Sequence, residues 1–186
     1  MIRKNWPVLA SFYVVLLLAG CQQAGSRQGF YTSPLLAGDE VEVLKTITIP
    51  TGLARVYLQH GKTMSYSSTD QYAPFCYFLL RDPLPVEQKI KPGVLVVDLV
   101  WLDETSLNSE WPVRVAAATL ALGSSRSPIA YQFYISLRSH WQAPVTLVCS
   151  GAFESAAAAQ PIRLPQVREV LGDYAEVRVK APLTGQ

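Results

Sequence analysis

The chain has 186 residues, of which 49% are hydrophobic and 16% charged, with a formal net charge of +2. This length suits a single domain with a sizeable core. The near balance of charge gives no electrostatic case for attraction to nucleic acid or to an anionic membrane surface. We therefore expect a protein that does not bind nucleic acid.

The N-terminus has the pattern of a secretion signal. Arg3 and Lys4 precede an apolar stretch over residues 8–19, and a charged start before such a stretch is typical of signal peptides. A transmembrane helix needs about 20 apolar residues, so this stretch is short for a membrane span. Removal of residues 1–20 takes away both basic residues and leaves 14 basic and 14 acidic side chains. The mature chain is therefore predicted to be neutral overall.

The apolar stretch ends in the motif Leu18-Ala19-Gly20-Cys21. This motif resembles the lipobox of bacterial lipoproteins, in which the cysteine thiol takes a diacylglyceryl group and the chain is cut just before it. The resemblance implies a signal peptide over residues 1–20 and an acylated Cys21 as the mature N-terminus. Two or three fatty chains on one residue would form a lasting membrane anchor. The alternative is an ordinary secretion signal followed by an incidental cysteine.

The residues after the lipobox bear on location. In lipoproteins of diderm bacteria, an aspartate after the cysteine commonly retains the protein at the inner membrane. Gln22 occupies that position, so the resemblance implies an outer-membrane anchor with the domain facing the periplasm. Residues 21–39 are rich in Gln, Gly and Ser and are predicted to be a flexible tether, although Phe30, Tyr31, Leu35 and Leu36 could pack on the domain.

From residue 40 onward the pattern is that of β-strands. Alternating or β-branched runs are separated by breaks rich in Pro, Gly and Ser. These runs cover residues 41–49, 54–61, 75–81, 94–102, 113–122, 129–138, 145–149 and 175–180. The first two flank Pro50-Thr51-Gly52 and are expected to form a hairpin. Within the fifth run, the three alanines at 116–118 leave a helix as an alternative.

One helix is predicted near the C-terminus. Leu164, Val167 and Leu171 have helical spacing, Pro165 stands near the start, and Gly172 closes the run. Residues 40–186 are therefore predicted to form one mainly β domain, either an antiparallel sandwich or a barrel-like sheet, with one short C-terminal helix. An α+β fold is the alternative.

Cys76 and Cys149 remain once Cys21 is assigned to lipid. An even number of cysteines in an oxidising compartment favours a disulfide. Two separate buried thiols are the alternative.

The segments IPTGLARVYLQ (49–59), YAPFC (72–76) and LVC (147–149) resemble a group of uncharacterised proteobacterial lipoproteins. This resemblance brings no catalytic residues with it and supports a structural role for the two internal cysteines.

No catalytic constellation is recognisable in the sequence. His60 and His140 have no metal ligands at suitable spacing, and Asp103-Glu104 is expected in a solvated turn. The sequence thus predicts no enzyme, no metal site and no cofactor. The aromatic residues are expected to line a core around the disulfide, with an exposed contact face as the alternative; they are Tyr66, Tyr72, Phe75, Tyr77 and Phe78 in one region and Tyr131, Phe133 and Tyr134 in another.

The function that fits these features is a membrane-anchored envelope lipoprotein with a non-catalytic binding or scaffolding domain. Its partners would be membrane lipid, through acylated Cys21, and an envelope protein. One alternative is a periplasmic hydrolase that uses His60, Asp98 or His140. Another is a small-ligand carrier, because barrel-like sheets can enclose an apolar cavity.

Overall fold

A computed structural model describes residues 33–107 and 127–180 of the chain. The β-strands are β1 (Glu40–Val43), β2 (Ile47–Ile49), β3 (Arg55–Gln59), β4 (Lys62–Met64), β5 (Phe75–Leu79), β6 (Gln88–Ile90), β7 (Gly93–Ser106), β8 (Ile129–Arg138), β9 (Val145–Ser150) and β10 (Ala175–Arg178). The single α-helix of this part, α1, spans Leu164–Leu171, and short 3₁₀ turns cover Tyr66–Ser68 and Gly172–Tyr174.

Eight strands form one curled antiparallel sheet in the order β10-β1-β7-β8-β9-β5-β3-β4, while β2 and β6 pair separately. The protein is therefore mainly β, a half-barrel with one short helix, as the alternating runs predicted. All the strand pairs in both sheets are antiparallel.

The expected hairpin between residues 41–49 and 54–61 is wrong. The first run divides into two strands that join different sheets, since β1 pairs with β7 and β10 whereas β2 pairs with β6. Between them, the backbone N–H groups of Leu44 and Lys45 donate to the carbonyl of Tyr174, which turns the chain away from the large sheet. Only strand β3 of the second run pairs within that sheet, with β4 and β5.

The concave side of the curl holds the main core. Directly opposed residues of β3, β5, β9, β8 and β7 form a row of buried or half-buried side chains, Leu58, Cys76, Cys149, Phe133 and Leu102. Helix α1 covers this side and contacts both β10 and the β3–β5 region, so it bridges strands from the two ends of the sheet order. Each large aliphatic side chain removed from water in this way contributes about 2 kcal/mol.

Helix α1 has defined ends. Pro165 stands at its first turn, where the missing N–H costs nothing, and the backbone N–H of Arg163 donates to Oε1 of Gln166 at 2.9 Å. After the last turn, Gly172 has φ +50°, and a Cβ there would lie 2.5 Å from the Cα of Gly61. The helix therefore ends where it meets the β3–β4 turn, and only glycine allows that approach.

The segment before β1 belongs to the folded unit. Leu35 is buried in the main core. Asp39 is also buried, and its carboxylate accepts the backbone N–H groups of Leu36 and Lys180, at 2.7 and 2.9 Å. These bonds hold the segment before β1 next to the residues that follow β10.

Cys76 of β5 and Cys149 of β9 lie directly opposite each other, with their sulfur atoms 2.08 Å apart. That separation fits the disulfide expected from the cysteine count. Both residues are fully buried, and the bond connects adjacent strands whose cysteines are 73 positions apart in the sequence.

Two further expectations need comment. Asp103-Glu104 was predicted in a turn, but both residues lie within strand β7; the strand continues because β8 pairs with it as far as Ser106. The predicted strand at 113–122, its helical alternative, and residues 1–32, which include Cys21, lie outside the described residues.

Replacing both internal cysteines, C76A together with C149A, should lower the free energy of unfolding by about 4 kcal/mol, because the disulfide restricts a long loop of the unfolded chain. Urea titration of the full chain in mild detergent measures the loss, with the wild type under reducing conditions as the matched control. Two thiols that react in the unfolded wild-type chain without reductant would contradict the disulfide.

Candidate functional site

The convex side of the sheet carries a row of directly opposed residues. In the order of the strands β4, β3, β5, β9, β8 and β7, these are Met64, Tyr57, Tyr77, Val148, Tyr134 and Trp101. We call this set the aromatic row. It follows from the alternation of side chains in each strand, because every member is one position away from a residue facing the main core.

The rings within the row contact one another. The ring centroids of Tyr57 and Tyr77 are 5.1 Å apart and their planes are inclined at 45°. Trp101 and Tyr134 are also 5.1 Å apart, but are nearly parallel, at 12°. Aromatic pairs at such distances contribute about 1 kcal/mol each beyond the area that they bury, so neighbouring strands support each other's rings.

The middle of the row is buried, and its β7 end is the most exposed part. Tyr57 and Tyr77 are each 6% exposed, whereas Trp101 is 43% exposed. Leu99, two residues before Trp101 on the same strand, is 57% exposed. Large apolar side chains that remain accessible beside buried aromatics are typical of contact surfaces.

Polar groups lie beside the rings. The guanidinium of Arg55 is 5.7 Å from the centroid of Tyr77, a cation–π geometry, and within the described residues no carboxylate pairs with it. The hydroxyl of Tyr134 donates to Oε1 of Gln132 at 3.1 Å. A pocket of about 300 Å³ lies between these groups and Leu107.

Two tyrosines of the row, Tyr57 and Tyr77, are held in the neutral form. Burial raises the pKa of Tyr77 well above its usual value, and the neighbouring Tyr134 raises it further. Burial also raises the pKa of Tyr57, although the positive charge of Arg55 partly opposes the change. At neutral pH the hydroxyls of Tyr57 and Tyr77 therefore offer hydrogen bonds, and neither residue acts as a tyrosinate base.

A second depression, a groove of about 660 Å³, lies on the other side of Arg55 and opens to solvent. Leu53, Met64 and Tyr66 contribute apolar surface to it. The concave interior, where a small-ligand carrier would hold its cargo, is occupied by the side chains of the main core.

The residues considered for a hydrolase occupy separate settings. Nδ1 of His60 is 4.0 Å from Oε1 of Glu169, and Asp98 pairs with Arg138 at 3.3 Å. Within residues 33–107 and 127–180, no hydrogen bond or ion pair joins any two of His60, Asp98 and His140. In the same residues, no three His, Cys, Asp or Glu side chains are grouped so as to hold a metal ion.

The expectation of aromatics around the disulfide holds for part of the set. Phe78 and Phe133 lie with the cystine in the main core. Phe75 and Tyr77 belong to a second cluster on the convex side, and Tyr72 is 68% exposed. The aromatics thus divide between the two faces of the sheet according to their position in each strand.

Sequence reasoning did not single out Arg55, Trp101 or the row itself. Alternation in residues 55–59 predicts that Arg55 and Tyr57 lie on one face of their strand. The same alternation predicts the face of each other residue of the row within its own strand. The row also needs the lateral order of the strands, which periodicity does not supply.

Comparisons with known proteins add nothing to this geometry: no protein-family model matches the chain, and neither curated proteins nor solved structures give a match. In the part of the chain that the structure describes, no helix is long and apolar enough to cross a membrane.

The raised pKa of Tyr77 predicts a loss of stability in alkali. The folded state holds the Tyr77 proton more tightly than the unfolded chain does, so this contribution is complete at neutral pH and is lost as the pH rises above about 10. Y77F should lose less stability than the wild type between about pH 8 and about pH 11 in urea titrations. Y72F, at an exposed position, is the control; an equal alkaline loss in Y77F and the wild type would contradict the prediction.

Proposed function

We propose that the protein is a lipid-anchored, non-catalytic binding protein of the bacterial envelope. Acylated Cys21 holds it at the outer membrane, and the β domain faces the periplasm. The domain holds another envelope component at the convex side of its sheet, around the exposed end of the aromatic row.

One observation carries the proposal. Trp101 is stacked on Tyr134 and is still 43% exposed, so one large, rigid side chain is held ready for contact. Tryptophan, tyrosine and arginine are the residue types most enriched among those that dominate the energetics of protein interfaces. Tryptophan and tyrosine bury a large area and lose little conformational freedom. Arg55, without a carboxylate partner in the described residues, lies along the same face.

The anchor is supported by the lipobox and can be tested by itself. C21S should abolish incorporation of labelled palmitate and leave residues 1–20 attached to the chain, because the thiol is the acceptor of the lipid and lipid attachment precedes cleavage after Gly20. C76A with C149A is the control for general loss of cysteine and should still take up label. Unchanged labelling of C21S would contradict the anchor.

The binding surface can be tested by photo-crosslinking in cells. A photoreactive amino acid at position 99, next to Trp101, should give a crosslinked product, and the same group at the exposed position 72 should not. W101A should reduce the product at least tenfold, since removing a central aromatic anchor costs about 2 kcal/mol or more. Y72A removes an exposed ring outside the row and is the matched control.

Two outcomes would contradict this proposal. One is the same set of products at positions 99 and 72, which would mean non-specific contact. The other is a product at position 99 that W101A leaves unchanged while the variant remains folded and anchored.

A further inference from the structure

Strand β7 is paired on both sides only along its first part. Strand β1 pairs with Gly93–Val96, and hydrogen bonds with Gly38 and Asp39, both 2.8 Å, extend this contact to Val97. Over residues 98–104, β8 is the one strand neighbour among the described residues. We call the other side of this stretch the free edge; it is about 20 Å long.

The direction of the backbone groups along the free edge follows from two hydrogen bonds. The N–H of Leu107 donates to the carbonyl of Pro128, next to β8, whereas the N–H of Glu104 donates to Oδ1 of its own neighbour Asp103. Alternate residues of a strand direct their N–H and C=O groups to opposite edges. The backbone groups of Val100, Leu102 and Glu104 therefore face away from β8.

The side chains beside this edge suit an extended partner. Leu99 and Trp101 provide exposed apolar surface on the convex side. Asp103 and Glu104 are exposed acids, and no basic side chain of the described residues pairs with either of them, whereas Asp98 is paired with Arg138. Residues 98–104 contain no lysine or proline. Their acids and the bulge between Val97 and Leu99 oppose unspecific pairing at this edge, so a partner strand has to compensate the negative charge.

We infer that the free edge of β7 receives an extended, basic peptide segment of an envelope protein by strand addition. Only another extended backbone matches a ladder of alternating N–H and C=O groups. The acids select positively charged side chains, and Trp101 provides a contact for an apolar one. This inference rests on the proposed binding function and specifies the partner's class and its mode of binding.

A second copy of the chain fits the edge less well. An antiparallel pairing of two β7 edges centred on Leu102 would set Glu104 of each copy opposite Val100 of the other. Asp103 would likewise lie opposite Trp101, so a second copy would offer neither acid a basic partner. A glycan lacks the backbone ladder altogether.

Residue-resolved amide hydrogen exchange of the full chain in mild detergent tests the inference. The probe is a capped nine-residue peptide of alternating Lys and Val, which has one basic and one apolar face when extended, and the matched control peptide has Glu in place of Lys. The Lys peptide should slow exchange at Val100 and Leu102 at least tenfold. Exchange at Leu99 and Trp101 should not change, because these amides already face β8.

A pair of variants isolates the edge amide. E104P removes one N–H of the free edge, together with the hydrogen bond that it donates to Asp103. The side chain of Glu104 is exposed and its N–H faces away from β8, so neither the β8 ladder nor the core loses a bond. E104A removes the same carboxylate but keeps the N–H. E104P should weaken binding of the Lys peptide at least fivefold more than E104A does.

Four results would overturn the inference: unchanged exchange with the Lys peptide, equal protection by the Glu peptide, concentration-dependent protection without peptide, and protection by a peptidoglycan tetrasaccharide. The third would assign the edge to a second copy, and the fourth to a glycan. If the peptide fails while position 99 still crosslinks in a Trp101-dependent way, the proposed function stands and only the strand addition is lost.

Discussion

A covalent bond between directly opposed residues sets the register of β5 against β9. With Cys76 facing Cys149, Tyr77 must face Val148 on the other side of the sheet. A shift of one residue would move every side chain of a strand to the opposite face. The disulfide therefore does more than restrict the unfolded chain: it keeps Phe78 and Leu147 towards α1 and Tyr77 and Val148 on the convex side.

The bulge in β7 has a comparable effect on one strand. Pairing with β8 shifts between Val97 and Leu99, so Val97 faces the main core and the odd-numbered Leu99 and Trp101 face outwards. Without the extra residue, Trp101 would point into the core beside the cystine. Bulges commonly re-aim a side chain near a functional surface. In this sheet the bulge also lies where β1 stops pairing with β7, so the exposed tryptophan and the free edge arise at the same place.

Local sequence patterns were sufficient to predict the longer strands and the helix, but not how these elements pair. The runs at 129–138 and 164–171 match β8 and α1 because alternation and helical spacing are strong over eight or more residues. Strands β4 and β6 were missed, since each has only three residues. The predicted hairpin is wrong because a Pro-Thr-Gly break indicates a turn but does not identify the strands with which the two flanking segments pair. The aromatic row and the free edge both depend on the order of the strands in the sheet. That order brings together residues that are far apart in the sequence.

The contributions available at the β7 edge differ in size and in role. Exposed ion pairs to Asp103 or Glu104 would contribute at most about 1 kcal/mol each and less at high salt. Each backbone hydrogen bond of an added strand would contribute about 1 kcal/mol net. Covering the exposed part of Trp101, roughly 100 Å² of apolar surface, would contribute about 2.5 kcal/mol. The backbone hydrogen bonds and the Trp101 ring would therefore supply most of the affinity, while Asp103 and Glu104 discriminate between partners. A binding surface of this kind tolerates many sequences at its edge and depends on one well-supported tryptophan.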